Sequence, residues 1–455
     1  MFAAGSSGFP WEQAVVKATG GRASEQASKL LEDGFGLLAR NASRQAERAF
    51  RRAIEIQPEL AAAHRGLGLA LWAEGQSTVA LSELTVATKL DPDDADAHLA
   101  LGRLAWTLSR QSGLGGEAGT SRSAYQSTAI TELAKAASLR PRDFQIRLDL
   151  ADLHLEAGRM REAIEQATAA VGLAVSPREQ AAAHVSLART YFAQGEEKRA
   201  EAEFRAALDR EPSSGEAHWG LGQLRLSQRR IPQAEDEFRK AIQVSPEYAP
   251  PYSALAEILI AKGQGGEARE LLEKAVQTDP RDWQTKFQLA SVLMEAGQAA
   301  RATELLNEVT KLNPNFLPAR EQLGLGLLRR GDLAAASKEA ENLVAANPQA
   351  VEGHRLMALV LWKKRDLESS LAECAMVLAS DPNSVAVRAL QAIELWQLNR
   401  RKEARDTFAQ AARAEPRLGT AVVFCRLLLC DARDIRVVDD FLRKNRWVVT
   451  AESPR

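Results

Sequence analysis

Proline recurs at a fixed interval over much of this 455-residue chain. Seven prolines stand 34 residues apart, at Pro212, Pro246, Pro280, Pro314, Pro348, Pro382 and Pro416. A period of this length indicates a stack of short structural repeats, in which each repeat packs only on its neighbours. The length of the chain therefore does not by itself require several globular domains.

Other residues share the period of the prolines. With proline at position 32 of each repeat, a small residue stands at position 8, alanine at positions 20 and 27, and a bulky apolar residue at position 24. In the second repeat these are Gly68, Ala80, Ala87 and Leu84. The apolar residues between them are three and four apart, which is the spacing of an amphipathic helix. Small residues allow two helices to approach closely, and proline cannot continue a helix. Each repeat is therefore predicted to be a pair of helices.

This pattern resembles the tetratricopeptide repeat. The resemblance covers residues 27–416 as eleven repeats. It implies an all-α, right-handed superhelical solenoid of antiparallel helix pairs. Four repeats are expected in a less regular N-terminal block, 27–180, and seven in a regular block, 181–416. Residues 1–26 are expected to form a mobile leader, and residues 417–455 to form two capping helices and a tail.

Two departures interrupt the N-terminal block. Pro92 and Pro141 are 49 residues apart, which is 15 more than one period of 34. The excess matches a stretch rich in Gly and Ser, 109–123, which predicts a loop inserted between the two helices of the third repeat. In the fourth repeat Val175 stands where proline is expected, and Pro177 follows. The stack is therefore predicted to be least regular before its fifth repeat.

The balance of charges narrows the choice of partners. The chain has 59 Lys+Arg and 60 Asp+Glu, so its formal net charge is −1. Nucleic acids and anionic membranes are bound through an excess of basic residues, and the balance argues against both. No apolar run reaches the length of a membrane span. The three cysteines fit neither a disulfide framework nor a metal motif. They favour the cytoplasm, with export after removal of a signal peptide as the alternative.

No pattern of catalytic or metal-binding residues stands out. Five histidines share position 4 of their first helices: His64, His98, His184, His218 and His354. Neighbouring repeats lie about 8–10 Å apart, which is too far for these side chains to bind one metal ion together. We expect them to pack, half-buried, against the preceding repeat. The chain is accordingly predicted not to be an enzyme and to hold no cofactor or metal.

The resemblance also implies a binding surface. In tetratricopeptide proteins positions 2, 5, 9, 12 and 13 face the concave groove of the superhelix. Position 12 is apolar in every repeat and is tryptophan in four of them. It either faces a ligand or packs between adjacent first helices. The candidate groove residues are Arg65, Leu69, Trp72, Arg103, Trp106, Arg189, Phe192, Trp219, Phe287, Met294, Arg355, Trp362 and Trp396.

These features predict a non-catalytic scaffold or adaptor that binds protein or peptide segments in its groove. An amphipathic helix or an extended apolar segment suits such a surface, with aromatic anchors and a few orienting ion pairs. The alternative is the recruiting arm of a larger enzyme or assembly complex, such as a glycosyltransferase or protease partner. Two binding devices of the family, a lysine–asparagine clamp and an asparagine ladder, are absent at the corresponding positions.

Overall fold

The computed structural model describes residues 21–112 and 118–450, and every regular element in these ranges is helical. The chain divides into two compact units, Met1–Pro251 and Tyr252–Arg455, which are called the N-terminal unit and the C-terminal unit below. Most of the predicted leader, up to residue 20, lies outside the described residues. Its last residues, 21–26, belong to the first helix.

Helix pairs follow one another along the whole described chain. Those of the N-terminal unit are α1 Gly21–Ala39, α2 Ser43–Ile56, α3 Ala61–Ala73, α4 Ser77–Leu90, α5 Ala95–Ser112, α6 Ala118–Leu139, α7 Phe144–Glu156, α8 Met160–Leu173, α9 Pro177–Ala193, α10 Glu197–Arg210, α11 Gly215–Ser227 and α12 Ile231–Val244. The helices that follow are α13 Pro250–Ala261, α14 Gly265–Thr278, α15 Trp283–Glu295, α16 Ala299–Leu312, α17 Leu317–Arg329, α18 Leu333–Ala346, α19 Val351–Lys364, α20 Leu367–Ser380, α21 Val385–Gln397, α22 Arg401–Ala414, α23 Ala421–Leu428 and α24 Ala432–Thr450. The all-α solenoid of helix pairs is confirmed. In the ranges that the structure describes, no helix combines the length and the apolar character needed to cross a membrane.

The two helices of a repeat approach most closely where the sequence has small residues. A Cβ added at Gly34 would lie 2.6 Å from the ring of Phe50, and one added at Gly222 would lie 2.4 Å from the ring of Phe238. Both phenylalanines are fully buried, as is the alanine at position 20, for example Ala46. A larger side chain at position 8 would push the helices apart, so glycine and phenylalanine at positions 8 and 24 form a matched pair.

The predicted loop at 109–123 is wrong in its extent. Helix α5 continues into this stretch and α6 begins within it, and only 113–117 lie outside the described residues. Leu108 is 9% exposed and Ser109 is 1% exposed, and Tyr125 of α6 packs against the core cluster that contains Leu108. The additional residues therefore lengthen both helices, because burial of these side chains outweighs the weak helix propensity of Gly and Ser.

The irregular fourth repeat has a local cause. Helix α9 begins at Pro177, four residues before the position 181 expected from the period. The hydroxyl of Ser176 accepts a hydrogen bond from the Glu179 backbone N–H, and the Glu179 carboxylate accepts one from the Ser176 backbone N–H. This capping box, with proline in the first turn, starts the helix one turn early.

Two helices lie where capping helices were expected, and an aromatic cluster holds them to the last repeat. The ring centroid of Phe441 on α24 lies 5.0 Å from that of Phe408 on α22 and 6.0 Å from that of Phe424 on α23. Asp434, at the start of α24, is 0% exposed and forms ion pairs with Lys363 and Arg365. Apolar burial and a buried ion network thus fix the position of α24 within the C-terminal unit.

Candidate functional site

The first helices of successive repeats lie side by side and form one face of each unit. In the N-terminal unit α1 contacts α3, α3 contacts α5, α7 contacts α9 and α9 contacts α11. In the C-terminal unit α15, α17, α19 and α21 follow one another in the same way. The second helices of the described repeats make no comparable contacts with one another. The face formed by the first helices is called the inner face below, and it carries the candidate groove residues.

In the N-terminal unit the aromatic side chains at position 12 remain partly open to solvent. Trp72, Trp106 and Phe192 are half-buried. The indole N–H of Trp106 donates to the carboxylate of Glu156, on the next first helix, at 2.7 Å. Trp72 and Leu69 both pack on the edge of the core. Large apolar side chains are therefore accessible on this part of the inner face.

In the C-terminal unit two of the predicted anchors are buried, which corrects the expectation that they stand in an open groove. Trp362 is 0% exposed and donates its indole N–H to Gln397 at 3.0 Å, while Trp396 is 6% exposed. The ring of Trp396 packs edge-on against Phe441 of α24, with 5.4 Å between ring centroids, and the Arg401 guanidinium lies 3.6 Å from its centroid. The capping helix α24 therefore covers Trp396. The repeat pattern does not reveal this contact because α24 lies outside the period.

The other candidate residues of the C-terminal unit are half-buried and engaged with neighbouring helices. Phe287 packs edge-on against Phe316, with ring centroids 4.9 Å apart. Arg355 forms an ion pair with Glu321 of the preceding first helix. Met294 is half-buried on α15. These three side chains keep part of their surface open, but the guanidinium of Arg355 already has a partner.

The candidate arginines of the N-terminal unit are paired with aspartates. Arg65 is 7% exposed, and its guanidinium lies 3.0 Å from the carboxylate of Asp96. Arg103 donates from Nε to Asp149 at 2.6 Å. These pairs tie α3 to α5 and α5 to α7. The expectation that Arg65 faces a ligand is wrong, because its charge is buried and neutralised inside the stack.

Polar contacts also join the first helices between α7 and α9. The hydroxyl of Ser186 donates to Asp152 at 3.0 Å, and Arg189 lies 3.4 Å from the same carboxylate oxygen. Glu216, on α11, is exposed and forms no ion pair with any described residue. Burial raises the pKa of Asp152, and the positive charge of Arg189 offsets only part of this effect.

Sequence reasoning missed these two acids although their positions could have identified them. Asp152 stands at position 9 of the fourth repeat and Glu216 at position 2 of the sixth. Both positions belong to the set that the family resemblance assigns to the groove. The sequence therefore carried a further signal besides the tryptophans and arginines, namely acidic residues at positions 9 and 2.

Aromatic side chains adjoin Glu216. Trp219 follows Glu216 by three residues on α11 and is half-buried. It packs edge-on against Tyr248, with 6.1 Å between ring centroids. Burial raises the pKa of the Tyr248 phenol, and the negative charge of Glu216 raises it further. The phenol is therefore neutral.

The histidines at position 4 join the helices of the framework. One ring nitrogen of His64, His98 and His354 contacts a glutamate of the second helix at 2.7, 2.5 and 2.6 Å, respectively. The other contacts the carbonyl oxygen of the preceding proline at 2.9, 3.0 and 2.9 Å. Arg320 and Arg388 reach the equivalent proline carbonyls. The histidine at position 4 thus does more than pack: it contacts both a glutamate of the second helix and the carbonyl oxygen of the preceding proline. Within 21–112 and 118–450, no group of three or more His, Cys, Asp or Glu could hold a metal ion.

Solved structures of low sequence identity resemble parts of the chain. YrrB, described as a TPR protein with an unusual peptide-binding site, is 22% identical over 42% of this chain and 97% of its own, with a TM-score of 0.35. PilF of Pseudomonas aeruginosa is 21% identical over 46% of this chain and 95% of its own, with a TM-score of 0.39. The human IFIT1 dimer with m7Gppp-AAAA is 15% identical over 81% of this chain and 83% of its own, with a TM-score of 0.43. No curated protein sequence matches the chain.

Two family models described as tetratricopeptide repeat match the sequence itself. One matches residues 36–86, 69–113, 127–183, 148–214, 185–249 and 322–385, and the other matches residues 225–280 and 259–323. These ranges cover well over half of the chain and agree with the helix pairs described above. The chain belongs to the tetratricopeptide repeat family.

Proposed function

We propose that this chain is a non-catalytic scaffold that binds protein segments along the inner face of its N-terminal unit. Tetratricopeptide repeats of the kind matched here indicate a scaffold for protein–protein interaction. The observation that carries the proposal is the half-buried state of Trp72 and Trp106 on adjacent first helices. A partner segment that covers them removes a large apolar area from water.

The contacts of these tryptophans support a role in binding rather than in folding alone. Trp106 is held in one orientation by its hydrogen bond to Glu156, which leaves the rest of the ring available. Tryptophan is among the residues that contribute most to protein–protein interfaces, because a rigid ring gives much contact area at little cost in conformational entropy. A segment with one apolar side is therefore the partner that this surface fits.

The proposal is tested with a panel of fluorescent twelve-residue peptides, both amphipathic helical and extended apolar, titrated with the full chain. We expect at least one peptide to bind. Replacing Trp72 and Trp106 together by alanine should weaken that binding by about 30-fold, which corresponds to a loss of about 2 kcal/mol for the two side chains together. The matched control is Trp283→Ala, a half-buried tryptophan of the C-terminal unit that packs on Phe316. Equal binding by the double variant, the control and the unaltered chain would refute the proposed surface.

A further inference from the structure

Two of the three cysteines of the chain meet at the end of helix α23. Cys425 lies in the last turn of α23, Cys430 lies just beyond it, and both are half-buried. Their thiols are within hydrogen-bond distance of each other. The third cysteine, Cys374, is 0% exposed and contacts Glu394 instead. The fold therefore places Cys425 and Cys430 where they can react with each other.

The backbone of the turn after α23 brings these two side chains together. Leu429 is in the left-handed region, with a φ of 53°, and the Cys430 N–H donates to the Cys425 carbonyl oxygen at 3.1 Å. This is the hydrogen bond of the Schellman motif, in which the side chains of the two bonded residues frequently touch. A disulfide joins Cβ atoms that are about 3.8 Å apart, so side chains already in contact need little movement to form one.

The turn itself does not require cysteine at either position. The same backbone hydrogen bond after a left-handed residue occurs at the end of α3, where it joins Gln76 to Leu71. It occurs again at the end of α9, where it joins Glu196 to Tyr191. Turns of this kind thus close without a thiol. The pair of cysteines after α23 adds a property that the backbone does not need, the ability to form a covalent bond.

Both cysteines line a cavity of about 610 Å³, together with Leu328, Leu333 and Arg426. This position makes the pair accessible to a small molecule. Burial raises the pKa of both thiols. Because the thiolate is the reactive form, oxidation of the pair should be slow at neutral pH. The raised pKa does not stabilise the reduced form, however, since ionisation contributes little to it at that pH. Equilibrium measurements are therefore the suitable test of this pair.

The turn between the cysteines is also part of the network that fixes α24. The Leu429 carbonyl oxygen accepts a hydrogen bond from Lys363 Nζ at 2.7 Å, and the Asp431 N–H donates to the Asp434 carboxylate at 3.2 Å. Lys363 and Asp434 also form an ion pair with each other. A covalent bond between the two cysteines would hold the turn in the conformation that these contacts need.

We infer that Cys425 and Cys430 form a reversible disulfide that locks the turn before α24. The oxidant is a low-molecular-weight disulfide, for which glutathione disulfide is the probe. The thiolate of one cysteine attacks it and releases one glutathione, and the sulfur of the other cysteine then displaces the second glutathione. The two protein thiols lose two electrons and two protons, which leave in the two molecules of reduced glutathione. The disulfide belongs to the C-terminal unit and does not depend on the partner surface proposed above.

The test equilibrates the full chain with mixtures of reduced and oxidised glutathione, once folded and once unfolded in guanidinium chloride. Free thiols are then blocked with N-ethylmaleimide and the chain is digested with trypsin. Trypsin cleaves after Arg426, so the disulfide joins peptide 418–426 to peptide 427–433 and is identified by mass spectrometry. We expect the equilibrium constant for the disulfide to be about tenfold or more higher in the folded chain, since the fold has already closed this short loop. An equal or lower constant in the folded chain would overturn the inference, as would glutathione bound to either cysteine without the linked peptides.

The stability of the oxidised chain is a second measurement, and it needs no substitution. Oxidation should lower the equilibrium constant for unfolding by the same factor, which raises the midpoint of urea unfolding. Cys430→Ser, shown to be folded by circular dichroism, should lose both the linked peptides and the gain in stability. Cys374 is the internal control: because it is 0% exposed, it should stay unmodified in the folded chain. A midpoint that oxidation leaves unchanged, or an equal gain in Cys430→Ser, would overturn the assignment of the pair.

Discussion

Position 12 of the repeat is tryptophan in both units of the molecule, yet the side chains have different environments. Trp72 and Trp106, in the N-terminal unit, are half-buried. Trp362 and Trp396, in the C-terminal unit, are 0% and 6% exposed. The backbone position is equivalent in all four cases, so the difference arises from the neighbours. Gln397 accepts the indole N–H of Trp362, and α24 covers Trp396.

This comparison shows that a repeat position specifies where a side chain stands but not what it does. In the N-terminal unit the tryptophans border a surface whose arginines are already paired with aspartates. In the C-terminal unit the same residue type contributes to the core. Of the four equivalent tryptophans, two therefore remain partly open to solvent and two belong to the core.

The largest expected effect comes from removing a buried tryptophan. Trp396→Ala should lower the free energy of unfolding by about 3–5 kcal/mol, because it leaves a cavity beneath α24. Trp106→Ala should lower it by about 1 kcal/mol, because its ring is already partly in water. Urea denaturation followed by circular dichroism measures both. Equal losses for the two variants would contradict the distinction between the units.

The buried ion network that positions α24 is the next target. Asp434→Asn leaves Lys363 and Arg365 without their shared carboxylate, and breaking a buried pair in this way costs about 3 kcal/mol. The loosened α24 should expose Trp396, which would be detected as a red shift of tryptophan fluorescence and faster quenching by acrylamide. The control is Asp439→Asn on the exposed side of α24. A variant of Asp434 that retains full stability would indicate that aromatic packing alone holds the helix.

A buried acid of the C-terminal unit is expected to titrate far from its ordinary pKa. Glu394 is 0% exposed, two residues before Trp396. Burial raises its pKa to about 8, although hydrogen bonds to Ser370 and Cys374 act in the opposite direction. The Ser370 hydroxyl has one proton and lies within hydrogen-bond distance of two acceptors, the Ala358 carbonyl at 2.7 Å and the Glu394 carboxyl group. A protonated Glu394 satisfies both contacts, since the carboxyl group can then donate to Ser370 while Ser370 donates to Ala358.

The sign of the pH dependence follows from this raised pKa. The folded-state pKa of Glu394 is about 8 and its ordinary value is 4.5. Its contribution to stability is therefore present at low pH and is lost as pH rises from about 4.5 to 8. The unaltered chain should lose about 3 kcal/mol of unfolding free energy between pH 5 and pH 8 from this group, and Glu394→Gln should not. Urea titrations at pH 5, 6, 7 and 8 measure the difference. Identical slopes for the two proteins would show that Glu394 is not buried as a neutral acid.

The smallest expected change in stability concerns position 4 of the repeat. In both units the side chain at this position contacts the carbonyl oxygen of the preceding proline. Burial tends to lower the pKa of His354, but its hydrogen bonds to the Pro348 carbonyl and to Glu373 raise the pKa overall. Its stabilising contribution is therefore full below the ordinary pKa of 6.5 and is lost as pH rises through the folded-state value. His354→Arg should remove this loss, with a gain of about 0.5–1 kcal/mol at pH 8 and none at pH 5. Melting curves at the two pH values measure it, and an equal shift at both would exclude titration of this histidine.

The framework was predictable from the sequence because its determinants are local and repeated. Gly34 and Phe50 lie at a fixed spacing that recurs in later repeats, and their contact in the structure is the one that the small residue at position 8 implies. The early start of α9 had a signal of its own in Ser176, Pro177 and Glu179, which form a capping box. Each of these features depends on residues that are close in the sequence.

The features that were not predictable depend on contacts between distant residues. Burial of Trp396 requires Phe441, which lies 45 residues later on a helix outside the period. Pairing of Arg103 with Asp149 crosses the lengthened third repeat, in which the Gly- and Ser-rich stretch suggested a loop. A position in a repeat gives the direction of a side chain, whereas its exposure is set by whatever packs against it.

The central claim is that the inner face of the N-terminal unit binds partner segments while the equivalent tryptophans of the C-terminal unit are structural. The most direct test is fluorine NMR of the chain labelled with 5-fluorotryptophan, with resonances assigned through single Trp→Phe variants. On titration with a peptide of the twelve-residue panel that binds the full chain, the resonances of Trp72 and Trp106 should shift, and those of Trp362 and Trp396 should stay in place. Shifts confined to Trp362 and Trp396 would contradict the account.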